Sequence, residues 1–365
     1  MSALGEIRLD RAYYYCPACC GGSCPSDADL QLTSSDQTPG AEQLIALTGV
    51  LDSFATAAKT ALRQLTGLRL SESTVQRTTE AVGERLGERL ESGQTLGGPT
   101  PWDWHRDAEG KTCAYVSVDA TGVPQQGPNG AKTEGRMANV AMIYNPVPDE
   151  REQWANPEAK REPEWQGRYL AGLSPTAEQL QQLRVVGAQV GMDDAQRWIG
   201  LSDGGLGLED ALRVNFPRVE VVILDFWHAA EHLHEFAKEW QPGEGGEALA
   251  ATWCHQMKHE GGTAVLKTIQ ALSLSGKRPA AREAHRELVV YLENQQHRMD
   301  YPTYRQKGWQ IGSGPVESAC KRVVGQRLKG TGMRWSEAGS DAVCHLRALL
   351  CSADHQWESF WQRAA

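Results

Sequence analysis

The sequence has no run of 18 apolar residues, which excludes a transmembrane helix. Its opening stretch, MSALGEIRLDRAYYY, carries no apolar signal core, so a cytoplasmic protein is expected. A disulfide framework is missing as well. Five of the nine cysteines (Cys113, Cys254, Cys320, Cys344, Cys351) stand singly, which fits a reducing compartment. There is no basic excess: the net charge of −9 argues against a wholly basic coat protein, though a local basic patch could still bind nucleic acid. Gly204, Gly205 and Gly207 are followed by no Lys-Ser/Thr pair, so nucleotide hydrolysis through a phosphate loop is not supported. Internal repeats and low-complexity tails are also missing. What remains is a chain of 365 residues, 40% hydrophobic, able to bury a sizeable core in two or three domains.

Near the start, an alternating basic and aromatic stretch runs into Cys16-Pro17-Ala18-Cys19, with Cys20 and Cys24 close behind. A C-x-x-C knuckle is half of a zinc ribbon, and such sites normally hold four ligands. Three arrangements stay open: closure by Cys20 or Cys24, a ribbon lacking its first half, or free thiols. Residues 41–54 and 55–65 have helical apolar spacing, and a third helix opens near Ser71 or Ser73. Helix, short Gly-containing turn and helix with Ser73, Gln76 and Arg77 at its start is the helix-turn-helix pattern, whose second helix reads the major groove; a packing bundle is the other reading. GQTLGGPTP at 93–101 reads as a linker.

From residue 112 the pattern becomes α/β. Strands are expected over 113–119, 135–144, 198–203 and 219–225, the first two forming a hairpin. Helices are expected over 175–185 (Ser174 as N-cap), 207–216, 226–240 and 336–360. Residues 146–168, with Trp154 and Trp165, should cross the surface irregularly, and those two indoles, like Trp102 and Trp104, suit loop packing more than stacking on DNA. A helical insertion fills about 241–305. The chain divides on this reading into 1–38, 39–98 and 99–365.

Strands 113–119 and 198–203 each finish on an aspartate, and the carboxyl ends of strands joined by helices converge on one edge of a sheet. Asp119, Asp203 and Glu317 could therefore meet. Glu317 sits in the first turn of a helix opened by Gly312-Ser313-Gly314-Pro315 and followed by Lys321, Arg322, Arg327, Lys329 and Arg334. Three hard oxygen donors suit Mg²⁺ or Mn²⁺, and two such ions can activate a water or 3′-hydroxyl at a phosphodiester. Each acid alone reads equally well as a turn or cap residue.

The order YYYCPAC, TVQR…VGERL, SDG at 202–204, DFWHAAEHL, and IGSGPVESACK…RLKGTGMRW resembles the Asp-Asp-Glu transposases of bacterial insertion sequences, of the ISKra type. The likeness spans essentially the whole chain. It implies a ribonuclease H-like core with a helical insertion, and Asp119, Asp203 and Glu317 as ligands of two Mg²⁺ or Mn²⁺ ions. It also implies double-stranded DNA as partner, phosphate contacts from the five basic residues, a dimer or larger assembly, and a nucleoid-associated location. Two departures stand out. The family carries a further cysteine pair upstream, so the chain looks shortened and its zinc site at Cys16 and Cys19 is in question. The second acidic block reads SDGGLGL rather than a GDGAxW form.

Asp225 also ends a strand and competes with Asp203 as second ligand. Strand 198–203 follows the helix at 175–185 and takes the fourth place in such a core, which favours Asp203 and leaves Asp225 and His228 as a neighbouring motif. Two rivals remain. His228, Glu231 and His232 match H-x-x-E-H, an inverted zincin pattern requiring zinc and a further acidic ligand. A DNA-binding descendant that has lost catalysis is the second.

Overall fold

Alternation along one strand decides the centre of the molecule. In the computed structural model, which describes residues 1–3, 5, 7–30, 32, 37–131, 133–146 and 166–362, strand β3 (Cys113–Val123) sends Cys113 and Tyr115 to one hydrophobic cluster. It sends Ala114, Val116 and Val118 to another. Both faces are covered, as expected for a strand without a polar side.

β3 is the middle of a five-stranded mixed sheet in the order β5-β4-β3-β6-β7. Its partners are β4 (Arg136–Asn145), β5 (Gln166–Gly172), β6 (Arg197–Ser202) and β7 (Val219–Leu224). β3, β4 and β5 form an antiparallel meander, while β6 and β7 run parallel to β3. The chain is thus a mixed α/β protein. Among the described residues no helix is long and apolar enough to cross a membrane.

A two-stranded hairpin, β1 (Tyr14–Cys16) and β2 (Gly21–Ser23), precedes helix α1 (Pro25–Asp29). Then come α2 (Pro39–Leu51), the helical stretch α3 over 54–65, and α4 (Glu72–Glu91). Ser71 caps α4, accepting the Thr74 N–H at 3.1 Å. The helices between the strands are α5 (Thr176–Gln189) and α6 (Leu208–Asn215), and α7 (Phe226–Trp240) follows β7. The inserted helices are α8 (Glu244–Glu260), α9 (Gly262–Gln270), α10 (Pro279–Gln295) and α11 (Tyr301–Gln306). They lead to α12 (Gly314–Ala319), α13 (Glu337–Cys351) and α14 (Gln356–Trp361).

Three expectations need correcting, and one packing relation stands beside them. β3 does not stop at Asp119 but continues four residues, because its hairpin with β4 is longer than its parallel pairing with β6. Residues 166–172 form an edge strand, not loop; 147–165, with Trp154 and Trp165, lie outside the described residues. Ser174 does not cap α5: Pro175 holds that position, and the Ser174 carbonyl accepts from Asn139 at 2.9 Å. The helices of 39–98 share a core with the C-terminus, since Ala46, Val50, Val82 and Leu86 pack with Leu346, Leu349 and Phe360. α4 approaches α13 so closely that a Cβ at Gly83 would lie 2.3 Å from the Ala342 carbonyl oxygen. Ser73, Gln76 and Arg77 stay exposed at its start.

Candidate active site

Register brings the aspartates together. β3 and β6 pair in parallel up to Ser117 and Leu201, and continuing that register sets Asp119 beside Asp203. Residues level on adjacent parallel strands share a face. For Asp119 this is the face of Tyr115, where Val316, Ala319 and Cys320 of the Glu317 segment also pack. Asp119 and Asp203 are half-buried and Glu317 is exposed.

Each acid has one oxygen engaged and another with freedom to take a ligand. Asp119 Oδ1 accepts the Ala120 N–H at 2.7 Å, and only the Cys320 thiol, 3.5 Å away, reaches its Oδ2. Asp203 Oδ1 accepts the Gly205 N–H at 2.9 Å, and Glu317 Oε1 the Ser313 hydroxyl at 2.8 Å. None of the ion pairs among the described residues includes any of the three. Burial, joined by repulsion from Asp203 and Glu317, raises the Asp119 pKa above the ordinary carboxylate range, against the Ala120 N–H and the Cys320 thiol. Three coupled acids without a cationic partner fit a hard divalent cation. They are gathered, not closed: among the described residues no three such side chains form a finished metal cluster.

This crowding has a measurable consequence. A carboxyl whose pKa is raised on folding costs stability at neutral pH, and the cost vanishes below its unfolded value near 3.9. Asp119→Asn is therefore expected to stabilise the metal-free protein at pH 7 by about 1 kcal/mol, as removal of active-site strain commonly does. Thermal melts in chelator at pH 7 and pH 3.5 check this: the gain should be present at the first and gone at the second.

No known family's sequence profile matches the chain, and no curated protein resembles it significantly. The residues themselves carry the argument.

Asp225 stands apart from the triad. It is 1% exposed, and both its oxygens are saturated. Oδ1 accepts from the N–H groups of Trp227 (3.0 Å) and Ser313 (3.1 Å); Oδ2 accepts from the His228 N–H (3.2 Å) and the Ser313 hydroxyl (2.8 Å). It caps α7 and ties that helix to the start of α12. Ser313 thus does not cap its own helix, as a Gly-Ser-Gly-Pro opening suggests, because its hydroxyl faces Asp225 and Glu317. One hydroxyl proton serves only one acceptor at a time. Asp225 also holds the Ser313 N–H, so Glu317 is the more easily released.

The histidine motif does not converge on one point. The rings of His228 and His232 are edge to face at 5.6 Å, His232 packs on Tyr291 at 4.1 Å, and Glu231 is exposed. Burial, then His228, lowers the His232 pKa. Cys16 ends β1 and Cys19 lies in the turn of the N-terminal hairpin; both are exposed, as is Cys20. Hydrogen bonds from the Cys19 N–H and side chain lower the Cys16 pKa.

The basic run splits. Lys321, Arg322, Lys329 and Arg334 are exposed, and Lys329 Nζ bonds to Thr121 Oγ1, two residues past Asp119. Arg327 corrects the expectation of five phosphate contacts. It is 2% exposed, held between Phe54 and Trp335, and donates to the Gly49 carbonyl. A π-type turn over Cys320–Gly325 follows α12 and shifts the helical phase before Arg327.

Sequence reasoning missed Trp227, 62% exposed beside the site. A Cβ at Gly312 would fall 3.0 Å from its ring, so the indole is seated against the segment that leads to Glu317. An exposed indole next to acids was the available signal.

Proposed function

We propose that this chain is a DNA transposase of the Asp-Asp-Glu class, built on a ribonuclease H-like core that the helical insertion interrupts. The observation that carries the reading is that Asp119 on β3, Asp203 just past the end of β6, and Glu317 lie close enough for the last two to raise the Asp119 pKa, with no cation paired to any of them among the described residues. The sheet order, an antiparallel meander followed by two parallel strands, agrees with such a core.

Asp119, Asp203 and Glu317 would hold Mg²⁺ or Mn²⁺ through their open oxygens, supplying an activated water or 3′-hydroxyl and charge stabilisation at the leaving oxygen. Asp203 is preferred over Asp225, whose lone pairs already serve four donors. Lys329 at the rim, with Lys321, Arg322 and Arg334, suits the phosphates of double-stranded DNA, while Ser73, Gln76 and Arg77 suit a groove. Cleavage adds water across a phosphodiester and leaves a 3′-hydroxyl; in strand transfer that hydroxyl attacks a target phosphodiester, whose own 3′-oxygen leaves. Pairing two DNA ends asks for a dimer or larger assembly, and Cys16 with Cys19 would supply two sulfur ligands to a zinc ion.

A supercoiled plasmid carrying the DNA that flanks this reading frame tests the proposal. Nicking that needs Mg²⁺ or Mn²⁺, stops with chelator and leaves 3′-hydroxyl ends supports it. A chain that binds this DNA but never cuts it would instead be a non-catalytic descendant.

Trp227 offers an aromatic face for a nucleobase near the cut. Stacking one base is worth ~1–3 kcal/mol, so Trp227→Ala is expected to weaken oligonucleotide binding about tenfold and Trp227→Phe less. Fluorescence anisotropy reads the affinity, and an unchanged melting temperature excludes a folding effect. Equal affinity in wild type and Trp227→Ala removes the indole from the interface.

A further inference from the structure

A short turn after α10 of the insertion carries a buried arginine behind the second acid. Arg298, in the short helical turn Gln296–Arg298, is 2% exposed. Its guanidinium donates to the Val222 carbonyl (Nε, 3.0 Å), to Gln295 Oε1 (Nη1, 2.9 Å) and to the Ser202 hydroxyl and carbonyl (Nη2, 2.7 and 3.2 Å). Longer contacts reach the carbonyl oxygens of Asp203 at 3.4 Å and Ile223 at 3.5 Å. One residue therefore grips the carboxyl ends of β6 and β7. Glu209 is its acidic partner, at 3.7 Å.

Two neighbours from the same region add to this grip, one at the loop after Asp203 and one at the end of β7. The Tyr291 ring of α10 lies 2.9 Å from a Cβ built at residue 204, so any side chain there would push the ring aside. Tyr301 donates its hydroxyl to the Leu224 carbonyl at 3.0 Å. The insertion thus packs from behind against the strand end that presents Asp203.

We propose that Arg298 is a positioning residue for Asp203: it fixes the Ser202–Asp203 backbone, and so the direction in which the Asp203 carboxylate faces Asp119. The proposal rests on the reading of Asp119, Asp203 and Glu317 as metal ligands. Keeping a guanidinium this deep is costly unless its donors are used, and here they are shared among the Ser202 hydroxyl, Gln295 and the backbone of both strand ends, with Glu209 farther off at 3.7 Å. Lysine can keep the charge but not the fork that reaches two strands.

The test is Mn²⁺ binding followed by electron paramagnetic resonance, which needs no DNA substrate. Wild type, Asp203→Asn, Arg298→Lys and Arg298→Gln are titrated below their melting temperatures, each measured separately. Residues supporting a metal ligand from behind typically contribute 10–100-fold to metal affinity. Arg298→Lys is expected to weaken Mn²⁺ binding about tenfold, and Arg298→Gln more. A purely structural role would lower the melting temperature and leave Mn²⁺ affinity unchanged in the folded protein, which overturns the proposal. If Asp203→Asn binds Mn²⁺ like wild type, the metal-site reading falls and the role of Arg298 with it. If Asp203→Asn loses binding while Arg298→Lys and Arg298→Gln keep it, only the positioning role falls.

Discussion

Glu317→Gln is expected to slow metal-dependent DNA cleavage by about a thousandfold or more while leaving the fold intact. A thousandfold is about 4 kcal/mol of barrier, within what a metal ion supplies at a reacting phosphodiester. The fold should survive because Glu317 is exposed and its side-chain hydrogen bond from the Ser313 hydroxyl can be accepted by an amide oxygen. Ser313 keeps Asp225 in either case, so the α7–α12 junction stays tied. Single-turnover cleavage, with circular dichroism on the same samples, reads both halves of the prediction. A folded Glu317→Gln cutting at more than a tenth of the wild-type rate would remove Glu317 from the chemistry.

Arg327→Ala is expected to destabilise the protein by about 3 kcal/mol, the scale set by loss of a buried hydrogen-bonded group together with a cavity. The guanidinium lies 4.7 Å from the Phe54 ring centre and 4.8 Å from that of Trp335, and its Nε bonds to the Gly49 carbonyl at 2.9 Å. Burial pulls its pKa down to about 10, which still leaves it charged at neutral pH and attracted to both rings. Its loss loosens α2 and α3 from the segment after α12. Lys329→Ala should behave in the opposite way, melting like wild type while the salt dependence of DNA binding falls by about one counterion. Chemical denaturation and salt-titrated binding separate the two. An Arg327→Ala protein as stable as wild type but weaker on DNA would restore Arg327 as a phosphate contact.

These two residues also mark where sequence reading succeeds and fails. Alternation and helical spacing located β3, β4, β6, β7 and most helices because those segments bury a continuous apolar face. β5 escaped because its seven residues include Arg168 and end in glycine, and its outer edge is satisfied from far away: Ser352 Oγ accepts the Tyr169 N–H, and Asp341 accepts that of Leu173 just past the strand. Arg327 was misread because charge in a basic run suggests a surface, whereas the π-type turn before it decides which way it faces. Asp203 and Asp225 look alike in sequence, each closing an apolar run. What separates them is a convergence of donors, two of them on Ser313, 88 residues from Asp225. Arg298 belongs to no motif, and its role depends on the strand ends it meets.

The most direct test of the central claim is cleavage of the flanking-DNA plasmid in Mn²⁺ by wild type, Asp203→Asn and Asp225→Asn. The account predicts that Asp203→Asn folds and does not cut. It predicts that Asp225→Asn, whose amide oxygen still caps α7, keeps measurable cleavage in proportion to its folded fraction. A folded Asp203→Asn that cuts like wild type, with cleavage lost in a folded Asp225→Asn, would contradict it.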